Sequence, residues 1–284
     1  MTSHNEGNIE QKLNQWLNTQ GYPLEMTTAA FFQKRNFQVS LSDYYVDFET
    51  RETREIDITA ILWSNMQSPV AVQVCFRIEC KQSKDKPWVV FIPETQRDFP
   101  FPPLDVFSSK AIHAFWLDKM QDRSFSDILI TTPLLQVKRY GYGLTQAFTT
   151  SVDIPYRATL SAVKASIDRV TEMENILHNH QGNGTLMCCV VVPVIVIDGR
   201  LFECSIDKEQ NTHLQEVQTS RIQWKGTNPL STYPIVHLTT KAGLEKFTEE
   251  CQETAEKIIT LAQNNMEELR FVASIFTLGK NEPQ

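Results

Sequence analysis

Arg54-Glu-Ile-Asp-Ile-Thr-Ala-Ile-Leu62 and Val72-Gln-Val-Cys-Phe-Arg-Ile-Glu-Cys-Lys81 are the two stretches that decide the fold. Both are rich in β-branched and aromatic residues and read as strands, separated by the turn-like Ser64-Asn-Met-Gln-Ser-Pro69. Alternate side chains of a strand share a face, so Glu55, Asp57 and Thr59 fall together, as do Arg77, Glu79 and Lys81. The opposite faces, Ile56 and Ile58 on one strand and Phe76, Ile78 and Cys80 on the other, suit a core. If the strands pair, Asp57 sits beside Glu79 and Lys81. Ionisable groups on otherwise apolar strands are costly to desolvate unless a metal or a counter-charge offsets them.

Working outward, residues 8–19 place Ile9, Leu13, Trp16 and Leu17 at helical spacing, and a second helix starting near Pro23 carries Leu24, Ala29, Phe31 and Phe32 up to Asn36. Alternation from Phe37 predicts a strand over about 37–48. Downstream, Ser83-Lys-Asp-Lys-Pro87 reads as a turn and Trp88–Ile92 as a short strand. Residues 93–103 form a proline-rich loop, and 105–121 a helix. Ile128–Thr131 is read as a strand, 138–143 as a glycine-punctuated loop, and 156–177 as a long helix. Asp198-Gly199, between two β-rich runs, predicts a hairpin turn. Strands near 214–223 and 233–239 and a helix over 241–269 complete the pattern.

Composition agrees with an ordered α/β chain: 284 residues, 41% hydrophobic and 21% charged. The length suits one elaborated domain, with a motif-bearing core at about 20–95 and an elaboration at about 185–284. The longest apolar run, Leu186–Ile197, is shorter than the ~20 residues a membrane helix needs and contains Pro193. The N-terminal residues lack a secretion-signal pattern, which places the protein in the cytoplasm, away from membranes. The six cysteines show no C-x-x-C spacing and read as reduced core residues. A net charge of −7 gives no global attraction for nucleic acid, so phosphate binding requires a local basic patch or bound cations.

Two carboxylates and a lysine converging from adjacent strands can hold a divalent cation and orient water, the requirements of metal-dependent phosphodiester hydrolysis. Arg54-Glu-Ile-Asp57 followed 22 positions later by Glu79-Cys-Lys81 resembles the PD-(D/E)XK pattern of the restriction-endonuclease-like nucleases, with Ile56 in place of the proline. The resemblance implies a central mixed sheet flanked by helices, with additional C-terminal strands and a helix. It also implies Mg²⁺ or Mn²⁺ bound by Asp57, Glu79 and the backbone carbonyl of Cys80, with Lys81 positioning the attacking water. Glu25 on the first core helix is its candidate fourth catalytic residue, and Gln146 its candidate on a following helix. The implied activity is a nuclease with DNA foremost as substrate, of a type that serves in restriction and anti-phage defence. The alternative is a catalytically silent module of the same fold that binds a protein or nucleic acid.

Other features are weaker. Lys84 and Lys86, and the loop residues Lys138, Arg139 and Tyr140, are candidate nucleic-acid contacts. A second acid-x-Lys tripeptide, Glu10-Gln-Lys12, lies on an amphipathic helix and reads as solvated. His178-Asn-His180 lacks a ββα-metal context, and His113 and His237 are isolated on apolar segments. No glycine-rich phosphate loop is present. With no helix-turn-helix or zinc finger, targeting falls to a protein partner, and the hydrophobic runs of the second half allow a homo-oligomer or an interaction surface.

Overall fold

The computed structural model describes residues 3–17, 19–94, 98–149, 153–179, 185–226 and 229–278. The order of elements is α1 (Ser3–Leu17), α2 (Tyr22–Lys34), β1 (Gln38–Val46), β2 (Thr53–Trp63), β3 (Val70–Phe91), α3 (Pro102–Asp105), β4 (Phe107–Ser108), α4 (Lys110–Lys119), α5 (Arg123–Ile130), β5 (Gly143–Gln146), α6 (Ile154–Asn179), β6 (Leu186–Ile206), β7 (Thr212–Val217), β8 (Thr219–Gln223), β9 (Ile235–Thr240), α7 (Leu244–Asn264) and α8 (Met266–Leu278). The class is α/β, with a large mixed sheet flanked by helices. Its main path runs β1-β2-β3-β6-β9-β8. The β3–β6 and β6–β9 pairs are parallel and the others on the path antiparallel. Strands from both halves of the chain belong to this one sheet. Among the described residues no helix is long and apolar enough to cross a membrane.

Parallel strands buried on both faces read as continuous apolar runs, and β3 and β6 show this. Val72, Val74, Phe76, Ile78 and Cys80 pack with Cys188, Val190, Val192, Val194 and Val196 against α2, α4, α5 and α7. Cys75, Cys189, Val191, Ile195 and Ile197 face α6. The six cysteines are free, and all but Cys204 are buried.

Several expectations are corrected. Asp198-Gly199 is not a turn: β6 runs straight through it, paired in parallel with Gln82 and Ser83. Glycine is required there because an added Cβ would lie 2.4 Å from the Ser83 carbonyl oxygen. The expected turn at 83–87 is a bulge inside β3. Its register with β6 shifts between Ser83–Gly199 and Trp88–Leu201, so four residues of β3 oppose one of β6. Those three extra residues are an odd number and invert the faces, which is why Trp88, Val90 and Ile92 join Cys75 on the α6 side.

Residues 123–130 are helical rather than extended, because Asp122 caps the backbone N–H groups of Ser124 and Phe125. The helix expected at 105–121 is divided by the short strand β4. The C-terminal helix divides at Asn265 into α7 and α8. Ile56 and Ile58 do not share a face: Ile58 packs beneath α2, whereas Ile56 meets Tyr45 and Ala165 of α6. The alternation breaks at Asp57, opposite the stretch of β1 where Ser42 takes a positive φ of 50°.

Candidate active site

The β1–β2 hairpin covers β3 only as far as Ile78, and β5 takes up the same edge again at Trp88. Between them, no described strand pairs with that edge, and the gap holds the carboxylate-lysine group. The register of β2 and β3 runs Thr59–Arg77 and Ile58–Ile78, so the next step brings Asp57 level with Glu79. Asp57 then bridges the departing strand to β3, its Oδ2 accepting the Cys80 N–H at 2.6 Å.

Lys81 lies between the two acids. Its Nζ donates to Glu79 Oε1 at 2.6 Å and stands 3.7 Å from Asp57 Oδ2. The other oxygen of Glu79, Oε2, accepts from Ser161 Oγ on α6 at 3.1 Å, and Tyr45 OH reaches that serine at 3.5 Å. Burial pushes the Glu79 carboxyl up and Asp57 adds to it, against the opposing pull of Lys81. Burial disfavours the Lys81 charge, yet Glu79 and Asp57 together leave its ammonium held more firmly than usual.

Glu25, in the first turn of α2, is raised by burial and then by the charges of Asp57 and Glu55, so it faces the same group. Just beyond Lys81, Gln82 donates to the Gln20 carbonyl and joins the α1–α2 connection to β3. Cys80 itself points into the core beside Thr28, and its N–H is the backbone group held at the site.

The structure therefore brings Asp57, Glu79 and Lys81 together, with Glu25 near enough to feel the charges of Asp57 and Lys81. Lys84 and Lys86 are exposed on the adjoining bulge, Lys84 being 3.9 Å from Asp198. Lys138, Arg139 and Tyr140 lie elsewhere. Their loop is fixed by Tyr142 N–H to the Phe91 carbonyl and Gly141 N–H to that of Arg221. Arg139 pairs with Glu203. Phe91, beside this loop, aligns with Cys204, and Glu79 aligns with Ile195, nine positions earlier on β6.

Gln146 is on β5, not on a helix, and is buried with its amide donating to Ser83 Oγ at 2.6 Å. His237 is a core residue facing Phe247, and Glu10 and Lys12 are exposed. His180 and the side chain of His178 lie outside the described residues. Sequence reasoning missed Ser161 and Tyr45. Neither carries a local signal, since each is defined only by the packing of α6 across the sheet.

Among the described residues, no three His, Cys, Asp or Glu side chains form a metal cage. Mg²⁺ commonly takes one or two carboxylates and completes its shell with water and substrate phosphate oxygens. Asp57 and Glu79 are a donor set of that kind. The upward shifts of Glu79 and Glu25 come first from burial, which disfavours their charged forms, and a bound cation would offset that penalty. Comparisons with protein-family models, curated proteins and solved structures gave no match to this chain.

Proposed function

We propose that this protein is a metal-dependent nuclease of the PD-(D/E)XK type, with DNA the favoured substrate. One observation carries the reading. An Asp, a Glu and a Lys from neighbouring strands converge at a gap in the sheet, with Lys81 turned toward both acids. A silent relative of such an enzyme has no need to keep this set in contact. A role in restriction or anti-phage defence is compatible with the chemistry, and the acidic chain leaves room for a targeting partner.

In this reading Asp57 and Glu79 hold Mg²⁺ or Mn²⁺, with the Cys80 carbonyl as a third ligand. When bound, the metal stabilises charge on the phosphoryl oxygens. Lys81 orients the attacking water, Ser161 fixes the rotamer of Glu79, and Glu25 receives a proton readily because its own charge is disfavoured. In the same reading Lys84 and Lys86, exposed on the bulge beside the gap, contact the phosphate backbone.

The second reading, a silent binding module, draws on the same ion pairs. Lys81 contacts both carboxylates, as it would in a structural ion-pair network. Cleavage of labelled DNA and RNA in Mg²⁺ or Mn²⁺ separates the two. The nuclease reading expects metal-dependent cleavage that Asp57→Ala and Lys81→Ala abolish while both variants remain folded. Cleavage unaffected by either substitution would remove the site from the mechanism.

A further inference from the structure

On the α6 side of the gap a cleft of about 550 Å³ opens between the β1–β2 turn, β5, the first half of α6 and the end of β8. Its volume lies within the ~300–1,000 Å³ of small-molecule sites. Four rings line it: Phe48, Tyr142, Tyr156 and Trp224. Tyr142 and Tyr156 are largely exposed, and Tyr156 lies at 37° to Trp224 with ring centroids 6.1 Å apart. The indole N–H of Trp224 is buried and finds no acceptor among the described residues.

The charges in the wall cancel. Lys164 is bound to Asp47 and Glu49, and Asp153 accepts the Tyr156 N–H, so with Lys225 the lining holds two cations and two carboxylates. Such a cleft offers little to a phosphate and much to a flat, neutral, hydrogen-bonding ring. It also adjoins the candidate active site. Leu160 and Lys164 line it, while Ser161 on the same turn of α6 donates to Glu79.

We propose that this cleft stacks an unpaired nucleobase of the strand held at Asp57, Glu79 and Lys81, which makes the substrate single-stranded nucleic acid. The proposal rests on the nuclease reading for the neighbouring phosphate. A base within a duplex is stacked and must be extruded before it can enter such a cleft, so duplex is disfavoured. DNA and RNA present the same rings, and the sugar distinguishes them elsewhere.

The test is anisotropy of labelled oligonucleotides with the full chain in EDTA, which separates binding from cleavage. The strands are a single strand of DNA, its RNA counterpart, the DNA duplex, and an abasic strand with the same phosphates. The intact protein is expected to bind the single strand at least tenfold more tightly than the abasic strand. Tyr156→Ala is expected to weaken single-strand binding about tenfold while leaving abasic binding unchanged, which also shows that the variant is folded. Equal affinity for single strand, duplex and abasic strand, or no effect of both Tyr156→Ala and Tyr142→Ala, would overturn the proposal. Cleavage is scored separately with Asp57→Ala. Base-dependent binding without cleavage keeps the cleft and loses the enzyme, whereas cleavage with base-independent binding does the reverse.

Discussion

Lys81→Met removes the ammonium and keeps most of the stem, which isolates the charge that holds the site together. Its Nζ lies 2.6 Å from Glu79 and 3.7 Å from Asp57, so the variant leaves two carboxylates facing each other with no cation between them. Breaking a fully buried pair by removing one partner costs about 3–5 kcal/mol. Side-chain exposure here is 28% for Lys81 and 19% for Asp57, so solvent recovers part of the loss. We expect about 2 kcal/mol, or roughly 3–4 °C in Tm for a chain of 284 residues.

Glu79 limits that cost, because burial already disposes it to accept a proton. The penalty should therefore be smaller at about pH 5 than at about pH 8. The informative measurement is thermal unfolding in EDTA and in excess Mg²⁺. If Asp57 and Glu79 form a metal site, Mg²⁺ takes the place of the lost ammonium. At a hundredfold excess over Kd it contributes about 2.7 kcal/mol, enough to restore the variant to near the parent Tm. The parent gains less, since Mg²⁺ must compete with Lys81 for Glu79. A variant as stable as the parent in EDTA would refute the geometry, and a destabilised variant that Mg²⁺ does not rescue would refute the metal site.

Glu25→Gln should raise Tm at neutral pH. The raised carboxyl favours the folded state below its ordinary titration range and loses that contribution as pH rises through its elevated value, so the gain should vanish in acid. A gain independent of pH, in thermal scans from acid to neutral, would contradict this origin. Ser161→Ala releases one oxygen of Glu79, and a hydrogen bond to a charged group is worth about 1.5–3 kcal/mol. Cleavage should slow by about tenfold or more under saturating substrate, whereas an unchanged rate would mean that Ser161 only fills space. Gly199→Ala places a Cβ 2.4 Å from the Ser83 oxygen and should cost about 1–3 kcal/mol in urea unfolding, and a neutral result would mean that β3 and β6 separate easily there.

The strands that carry the site were legible because alternation and β-branched composition report directly on burial. Asp57, Glu79 and Lys81 fall on adjacent strands by sequence pattern alone, and the sheet brings them together. What escaped depended on contacts distant in sequence. Asp-Gly favours a turn in isolation, but Gly199 serves a close approach to a strand more than a hundred residues earlier. Lys84-Asp-Lys-Pro87 is turn-like by composition, yet the pairing of β3 with β6 resumes beyond it and keeps it within one strand. Ser161 looks like any other helix serine until α6 is laid across the sheet.

These failures of local rules are not scattered. The positive φ at Ser42, the broken alternation at Asp57, the bulge after Ser83 and the close approach of Gly199 all adjoin the gap between β2 and β5. In a sheet of regular pleat, Asp57 would belong wholly to the β2–β3 ladder, and β5 would have no edge to resume. Asp57 reaches the Cys80 amide because β2 turns away there, and the bulge lets β3 continue with its faces exchanged, so Trp88 closes the core beyond the gap. The cost of these irregularities and of burying Glu79 is carried by apolar packing along β3 and β6 on both sides of the sheet. A fold that needed only stability would gain by closing the gap with paired strand and replacing Glu79 and Lys81 with aliphatic residues. That the described strands instead leave this edge open where the acids and the lysine meet is the physical argument for proposing chemistry at this place.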